Sequence, residues 1–369
     1  MTKRDYTPIY NGDRYCLMCR HVCPVERITK REATSPHGWA LLIASVQRSL
    51  IGWTDETVDT LYQCADCGLC QANCATGRPL PAAIVAARAA VVEQGAMPDS
   101  VTRLEKSLRL WGNPYGPLGA DAEPSATGAP EIGLYVGAAT RVGSPRTVRA
   151  AQALLRAAGR DHRLLSMGRS GVYLPYTLGL WDTARVLAEQ TLDEIGGLGV
   201  REIITLSKED AHTFQHIYPE IGVTFPGEIR VVEFSAWLDA MLAGQELRVQ
   251  PREQAGIVFH DACHTPRLLA GADAPRRVLA ALTGAAPGEL FWREQQASPC
   301  GAIGGFLFTQ AELAARLAEA RIAEARAAGA AILVADDPHC AAHLAAHAAD
   351  LPVVNLIEMA AQQIVGEIQ

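Results

Sequence analysis

Several features are missing from this 369-residue chain, and each absence removes a class of protein. There is no block of Lys or Arg, and the net charge is −7, which argues against nucleic acid as a partner. Residues 1–16 contain no apolar h-region, so no secretory signal is expected. Long apolar runs are absent too: the stretch from Trp39 to Gly52 is interrupted by Gln47 and Arg48 and is too short to span a bilayer. A cytoplasmic chain without a transmembrane segment is therefore expected, with any membrane contact peripheral to the inner face. Nucleotide signatures are also missing. No Walker A motif occurs, and GLYVGAATRVG (133–143) lacks the spacing of a dinucleotide fingerprint.

What the chain does have is ten cysteines, unevenly placed. Seven lie between Cys16 and Cys74, none between Cys74 and Cys263, and the last three, Cys263, Cys300 and Cys340, stand far apart. Cysteines used as small core hydrophobes would scatter. With no export signal the thiols are expected to be reduced, so metal binding or catalysis is favoured over a disulfide framework.

The run Cys64-Ala-Asp-Cys67-Gly-Leu-Cys70-Gln-Ala-Asn-Cys74 has the spacing C-x2-C-x2-C-x3-C. Thiolates so spaced can hold three corners of a [4Fe–4S] cube, while the fourth cysteine serves a neighbouring cluster. A zinc ribbon would need two C-x2-C pairs separated by a longer loop. Cys16-Leu-Met-Cys19-Arg-His-Val-Cys23-Pro24 is the last three-quarters of the same motif, with Asp13 where a first cysteine would fall. Crossed ligation assigns Cys64, Cys67, Cys70 and Cys23 to one cluster, and Cys16, Cys19, Cys74 and Asp13 to the other. A carboxylate is a weaker ligand for iron than a thiolate, so the second cluster is expected to be an Asp-ligated cube or a [3Fe–4S] species. Arg20 and His21, between two ligands, are candidates for raising its potential.

Helical spacing is visible in His37–Leu50, Glu56–Tyr62 and Ala82–Gln94, and the Gly- and Pro-rich stretch 112–130 reads as a linker. Beyond it the chain repeats itself. GIVFHD (256–261) echoes IGLYVG (132–137), and PRRVLAALTG (275–284) echoes PRTVRAAQALLRAAG (145–159). GAAILVADDPHCAAHL (329–344) echoes GVREIITLSKEDAHTF (199–214), and VVNLIEMA (353–360) echoes VVEFSAWL (231–238). Four echoes in the same order imply two duplicated α/β units with parallel sheets. The expected domains are a helical segment 1–111, the linker 112–130, and repeats at 131–250 and 251–369.

The segments LYQCADCGLCQANC, GNPYG, HDACH (260–264), PCGAIGG (299–305) and DDPHC (336–340) resemble those of heterodisulfide-reductase-like iron–sulfur proteins, whose relatives include the iron–sulfur subunits of glycolate oxidase. The resemblance covers nearly the whole chain and implies an α-helical, two-cluster ferredoxin-like domain followed by two cysteine-rich CCG repeats. It also implies where this chain departs from its family. Pro299 and Asp337 stand where cysteines would be, and the first repeat has Ala138, Ser170 and Ala211 in the regions of its lost cysteines. Cys263, Cys300 and Cys340 then hold a third iron–sulfur cluster or Zn²⁺, or are merely buried, with Asp337, His260, His264 or His339 as a fourth ligand. His339, His343 and His347 fall on one helical face, more simply explained as a half-exposed stripe. The Arg- and Glu-rich run 311–328 is expected to be a solvated helix face.

The function implied is an electron-transfer subunit of a heterodisulfide-reductase-like or flavin-dependent dehydrogenase complex. Its donor is expected to be a flavoprotein dehydrogenase or electron-transfer flavoprotein, its acceptor a quinone or a thiol/disulfide. Two other readings stay open: a thiol/disulfide reductase acting at Cys263, Cys300 and Cys340, and a zinc-stabilised docking module.

Overall fold

The computed structural model describes residues 6–11, 16–119, 130–166, 168–225, 227–264, 267, 269 and 273–366. Among the described residues eight strands form two four-stranded sheets. The first holds β1 (Ile132–Tyr135), β2 (His162–Leu165), β3 (Glu202–Thr205) and β4 (Arg230–Glu233) in the order β2-β1-β3-β4. The second holds β5 (Ile257–His260), β6 (Gly288–Glu289), β7 (Ile332–Ala335) and β8 (Val353–Asn355) in the order β6-β5-β7-β8. Every pairing is parallel, so each strand is reached by a crossover, and the two units have the same topology.

The repeated text accounts for most of this. Each pair of echoes produces equivalent elements: β1 with β5, β3 with β7, β4 with β8, and helix Pro145–Ala157 with Ala274–Thr283. Even the caps correspond. Ser207 caps Lys208–His212 after β3, and Asp337 caps Pro338–His347 after β7, each accepting backbone N–H bonds on its side chain. No echo marked β2 or β6, and β6 has only two residues.

Helices cover both sheets. One shared core joins them: Leu134, Leu155, Ile204 and Phe234 from the first unit pack with Phe259, Leu279, Val334 and Leu356 from the second. Among the described residues before β1 there is no strand. Helices Pro36–Gln47, Asp55–Tyr62 and Leu80–Glu93 fall where periodicity placed them, and Asp99–Trp111 adds a fourth that periodicity did not mark. Leu80–Glu93 lies directly on the first unit. Gly179 has φ +82° there, and a Cβ on it would come within 2.5 Å of the Ala89 nitrogen. Nor does the start of the expected linker hang free, since buried Asn113 donates to the carbonyls of Trp111 and Gly168. No helix of the described residues is long and apolar enough to cross a membrane.

A buried cation joins the two units. Lys208, after β3, places Nζ 2.5 Å from Glu233 at the end of β4 and 3.0 Å from Asp336 at the end of β7. Ser235 Oγ accepts from the same Nζ at 2.6 Å, and the Lys208 backbone N–H donates to Asp337 Oδ2. All three charged groups are almost fully buried. Burial alone would push the lysine down, but the two acids win and raise it. Asp336 is pushed up to about 6 by burial, which Lys208 opposes. Taking the cation away strands two carboxyl groups without a counter-charge. Lys208→Met is expected to cost about 3–5 kcal/mol, read as a lower urea midpoint. The triple replacement with Glu233→Gln and Asp336→Asn should recover part of that loss, and an unchanged midpoint for Lys208→Met would show that the pair does not hold the units.

Candidate functional site

Cys23 ends helix Met18–Val22 and is the N-cap residue of Pro24–Thr29, so the proline after it occupies the first helical turn, where its missing N–H costs nothing. Cys64 and Cys67 sit on the loop after Asp55–Tyr62, and Cys70 lies on the short helix Leu69–Ala72. Gly68, with φ +74°, turns the chain between them. The fold carries Cys23 to this loop. Its thiol is pushed far up, first by burial and then by the nearby Cys67 and Cys64. Cys70 is raised by burial and by Cys67, Cys64, Cys23 and Cys19. Burial also raises Cys64, to about 12, against the opposing charge of Arg88, and raises Cys67 against Arg267. These are four neighbouring thiols, three buried and Cys70 half-buried, none in a disulfide. Without a metal they must stay neutral, while a cluster that takes them as thiolates would neutralise the charge that burial forbids. The donor set fits such a group.

The remaining front cysteines meet beside them. Cys16, Cys19, Cys70 and Cys74 line a cavity of about 490 Å³, floored by Pro36, Ala40 and Leu80. Cys70 is common to the four buried thiols and this cavity. Burial is the largest single influence on the Cys74 thiol and raises it, but Thr76 Oγ1 at 3.2 Å, the backbone N–H groups of Arg78 and Thr76 and the Arg78 charge together outweigh it and leave the thiol below its ordinary value. Asp13, the expected fourth ligand here, lies outside the described residues. Arg20 is engaged elsewhere, with its Nε 2.9 Å from Glu32 and 3.5 Å from Glu26.

In the second repeat, Cys300 and Cys340 place their sulfurs 3.2 Å apart, with a ring nitrogen of His260 within 4.8 Å of both. Asp337 is not the third member of that group. Its carboxylate caps the helix, with Oδ1 accepting from the His339 and Cys340 amides and Oδ2 from Lys208 N. Hydrogen bonds to a charged group are each worth about 1.5–3 kcal/mol, which Asp337 would forfeit by turning to a metal. Nor is His260 a simple ligand. Arg321, which can only donate, donates to His260 Nδ1 from Nε at 3.3 Å and lies at 3.2 Å through Nη2. A neutral ring then carries its proton on Nε2, which is buried and has no hydrogen-bond partner among the described residues. Burial and the Arg321 charge hold His260 neutral. His260 therefore suits donating to a thiolate better than binding an ion.

Cys263 lies on the other side of this group, near both Cys67 and Cys300, and its thiol is raised by burial against the Arg267 charge. It links the front loop to the second repeat. Arg267 donates from Nε to the Cys67 carbonyl at 2.7 Å and from Nη1 to the Ala297 carbonyl at 2.8 Å. Tyr173 of the first repeat donates to Asp66 Oδ2 at 2.7 Å, between Cys64 and Cys67. Arg88 donates to the carbonyls of Cys64, Leu61 and Thr177. No motif marks Arg88, Tyr173, Arg267 or Arg321; only packing reveals them. The histidine stripe is accounted for by protein partners: His339 pairs with Thr140, and His343 with the Ala314 carbonyl. The 311–328 helix is not wholly solvated, since Arg321 on it is buried.

The lowered Cys74 thiol gives a direct test in metal-free protein. The pH at which alkylation of Cys74 reaches half its maximal rate is expected below the ~8.5 of an unperturbed thiol, followed by peptide mass spectrometry. Thr76→Val should move that midpoint upward, and a midpoint indifferent to Thr76 would remove the hydroxyl from the explanation.

Known proteins place these features in context. Residues 257–345 match the family described as Cysteine-rich domain, CCG. Over 337 residues, 84% of the chain, it is 25% identical to the probable iron–sulfur-binding oxidoreductase FadF of Bacillus subtilis, covering 47% of that protein. It is 26% identical over 334 residues to a probable membrane-anchored ferredoxin of Chromohalobacter salexigens, covering 85% of the chain and 48% of that protein. The chain thus spans about half the length of these two relatives. Against one polypeptide of the dihydromethanophenazine:CoB–CoM heterodisulfide reductase of Methanosarcina barkeri it is 22% identical over 328 residues, with 84% of the chain and 79% of that polypeptide aligned. A crystal structure of a hypothetical protein from Helicobacter pylori shares the fold, with a TM-score of 0.64 and 11% identity over 90% of this chain and 68% of that one. The matched segment contains Cys263, Cys300 and Cys340, so it is the second α/β unit of this chain that is similar to the cysteine-rich CCG family.

Proposed function

We propose that this chain is an iron–sulfur electron-transfer subunit of an oxidoreductase complex, heterodisulfide-reductase-like or flavin-dependent. Residues 1–111 are its two-cluster ferredoxin-like domain, 112–130 a connection, and 131–250 and 251–369 two CCG-type repeats. The observation that carries the reading is the meeting of Cys23 with Cys64, Cys67 and Cys70, next to a cavity lined by Cys16, Cys19 and Cys74. Crossed ligation of two clusters needs that grouping. Asp13 is proposed as the remaining ligand of the second site.

Held there, [4Fe–4S] clusters supply one-electron transfer. The chain does the rest. Burial of Cys23, Cys64 and Cys67 keeps water from the first site, and the Arg88 and Arg267 charges stabilise the thiolate forms of Cys64 and Cys67. Cys263 and Arg267 bring the second repeat against the same loop, so a redox group at Cys300 and Cys340 would lie next along the path. The likeness to one polypeptide of a multi-subunit heterodisulfide reductase, and the partial coverage of the longer relatives, support action within a larger assembly, with a flavoprotein as the electron donor.

The close pair Cys300 and Cys340 favours a second reading, a catalytic thiol/disulfide centre in the second repeat. Metal content separates the readings. Anaerobically reconstituted protein should hold about eight irons if only the front sites are loaded and about twelve if the second repeat also binds a cluster. One equivalent of zinc and no iron would overturn electron transfer in favour of a docking module. Crossed ligation makes a sharper forecast: Cys23→Ser and Cys64→Ser should abolish the same EPR signal, and Cys16→Ser a different one. If Cys23→Ser instead removes the signal lost with Cys16→Ser, the assignment is wrong.

A further inference from the structure

Backbone N–H groups reach the thiols of the first site. Cys23 receives those of Val25 and Glu26, and Cys67 that of Leu69. These donors stand on the helices Pro24–Thr29 and Leu69–Ala72, whose turns fix the peptide planes. Cys64 is served differently. Its Sγ accepts from the Asp66 N–H at 3.4 Å, and Asp66 lies on the loop between Cys64 and Cys67, outside any helix. The backbone bends there with φ +49° at Asp66.

A residue other than glycine seldom holds a left-handed backbone, although aspartate and asparagine tolerate it best. Such a conformation persists where its surroundings over-determine it. Two side chains act on Asp66, one from each repeat. Tyr173, on helix Tyr173–Thr177 of the first repeat, donates from its hydroxyl to Asp66 Oδ2 at 2.7 Å. His264, beside Cys263 in the second, places Nε2 3.3 Å from the Asp66 carbonyl oxygen and 3.3 Å from the Tyr173 hydroxyl. A carbonyl oxygen only accepts, so the ring proton lies on Nε2. Both side chains are buried, with their rings edge to face at 5.1 Å, so neither can turn away without stranding a polar group. The first repeat has no cysteine, yet it holds the thiol loop through this one hydroxyl.

We propose that Tyr173 is a positioning residue for the first site: through Asp66 it keeps an N–H on Cys64 Sγ, and so raises the reduction potential of a cluster held there. The role rests on the electron-transfer reading above. A hydrogen bond to a ligand sulfur stabilises the more negative, reduced state, and such bonds are among the groups that set iron–sulfur potentials. Tyrosine and phenylalanine differ by one neutral hydroxyl, so exchanging them changes no charge directly. The remaining electrostatic route would run through the Asp66 carboxylate, and asparagine at that position removes it.

Two arms test the role. In the iron-free, full-length chain the Asp66 amide should exchange with deuterium about tenfold faster in Tyr173→Phe than in wild type, the factor that loss of one hydrogen bond gives. Residue-resolved mass spectrometry reads it, and unchanged exchange would overturn the inference without touching electron transfer. In the iron-loaded chain, EPR-monitored redox titration of the signal assigned to Cys64 should give a more negative midpoint for Tyr173→Phe at unchanged iron content. Tyr176→Phe, whose hydroxyl goes instead to Glu220 at 2.9 Å, should leave the midpoint in place. Asp66→Asn keeps an acceptor for Tyr173 and tolerates the same backbone, so adding Tyr173→Phe to it should lower the midpoint by the same step. A midpoint that does not fall with Tyr173→Phe would overturn the inference, as would an equal fall with Tyr176→Phe. So would a step that vanishes in the Asp66→Asn background, which would assign the effect to the carboxylate charge. Faster amide exchange in a chain that takes up no iron would defeat the electron-transfer reading and leave Tyr173 as the residue that holds the loop.

Discussion

The arrangement of the whole molecule turns on one buried lysine. Lys208 stands at the carboxyl end of β3 and is held by an acid from its own sheet, Glu233, and one from the other, Asp336. An ammonium group can be kept out of water only if its charge is met on the spot. The chain meets it by turning the strand ends of the two sheets toward each other. That single demand places Asp337 over the Lys208 amide, sets the cap of the following helix, and so fixes where Cys340 lies. A cavity containing Asp210 is bordered by residues of the helices that follow β3 and β7.

The front helices are seated by two further cations, buried Arg88 and half-buried Arg267. Arg88 ties the Cys64 loop to the carbonyl of Thr177, and Arg267 ties the Cys67 carbonyl to that of Ala297. Between them Tyr173 reaches Asp66. Together these contacts tie the Cys64–Cys67 loop to both repeats. The result brings Cys70, Cys67 and Cys263 together, with Cys300 near Cys263, and burial raises the thiols of the first three. The fold adds Cys23 and Cys263, distant in sequence, to the local run Cys64, Cys67 and Cys70.

Comparison of the two repeats shows how a duplicated scaffold can diverge at one site while its frame stays the same. Sheet order, crossovers and helix caps are common to both. The groups that differ are the few pointing to the strand ends: His260 against Tyr135, Cys340 against Asp210, Cys300 against Ser170. The second repeat buries its sulfur pair among apolar neighbours such as Leu333 and Ile322, whereas the first has Asp210 bordering open space.

The local parts of this protein were legible in the sequence, because they depend on neighbours along the chain. Cysteine spacing of two and three residues, Pro24 after Cys23, helical periodicity in the front helices, and four ordered echoes marked the thiol loops and the duplicated parallel sheets. Two-residue β6 gave no pattern to read, and the first residues of the expected linker proved anchored because Asn113 found partners near Gly168. The roles at the strand ends could be decided only in three dimensions. Asp337, which spacing offered as a ligand, is bound by three amides, one of them from the other repeat; Asp210, which no motif marked, borders an open cavity. A carboxyl group caps, ligates or binds according to which donors lie within hydrogen-bond reach, and the donor that decides Asp337 comes from a residue more than a hundred positions away.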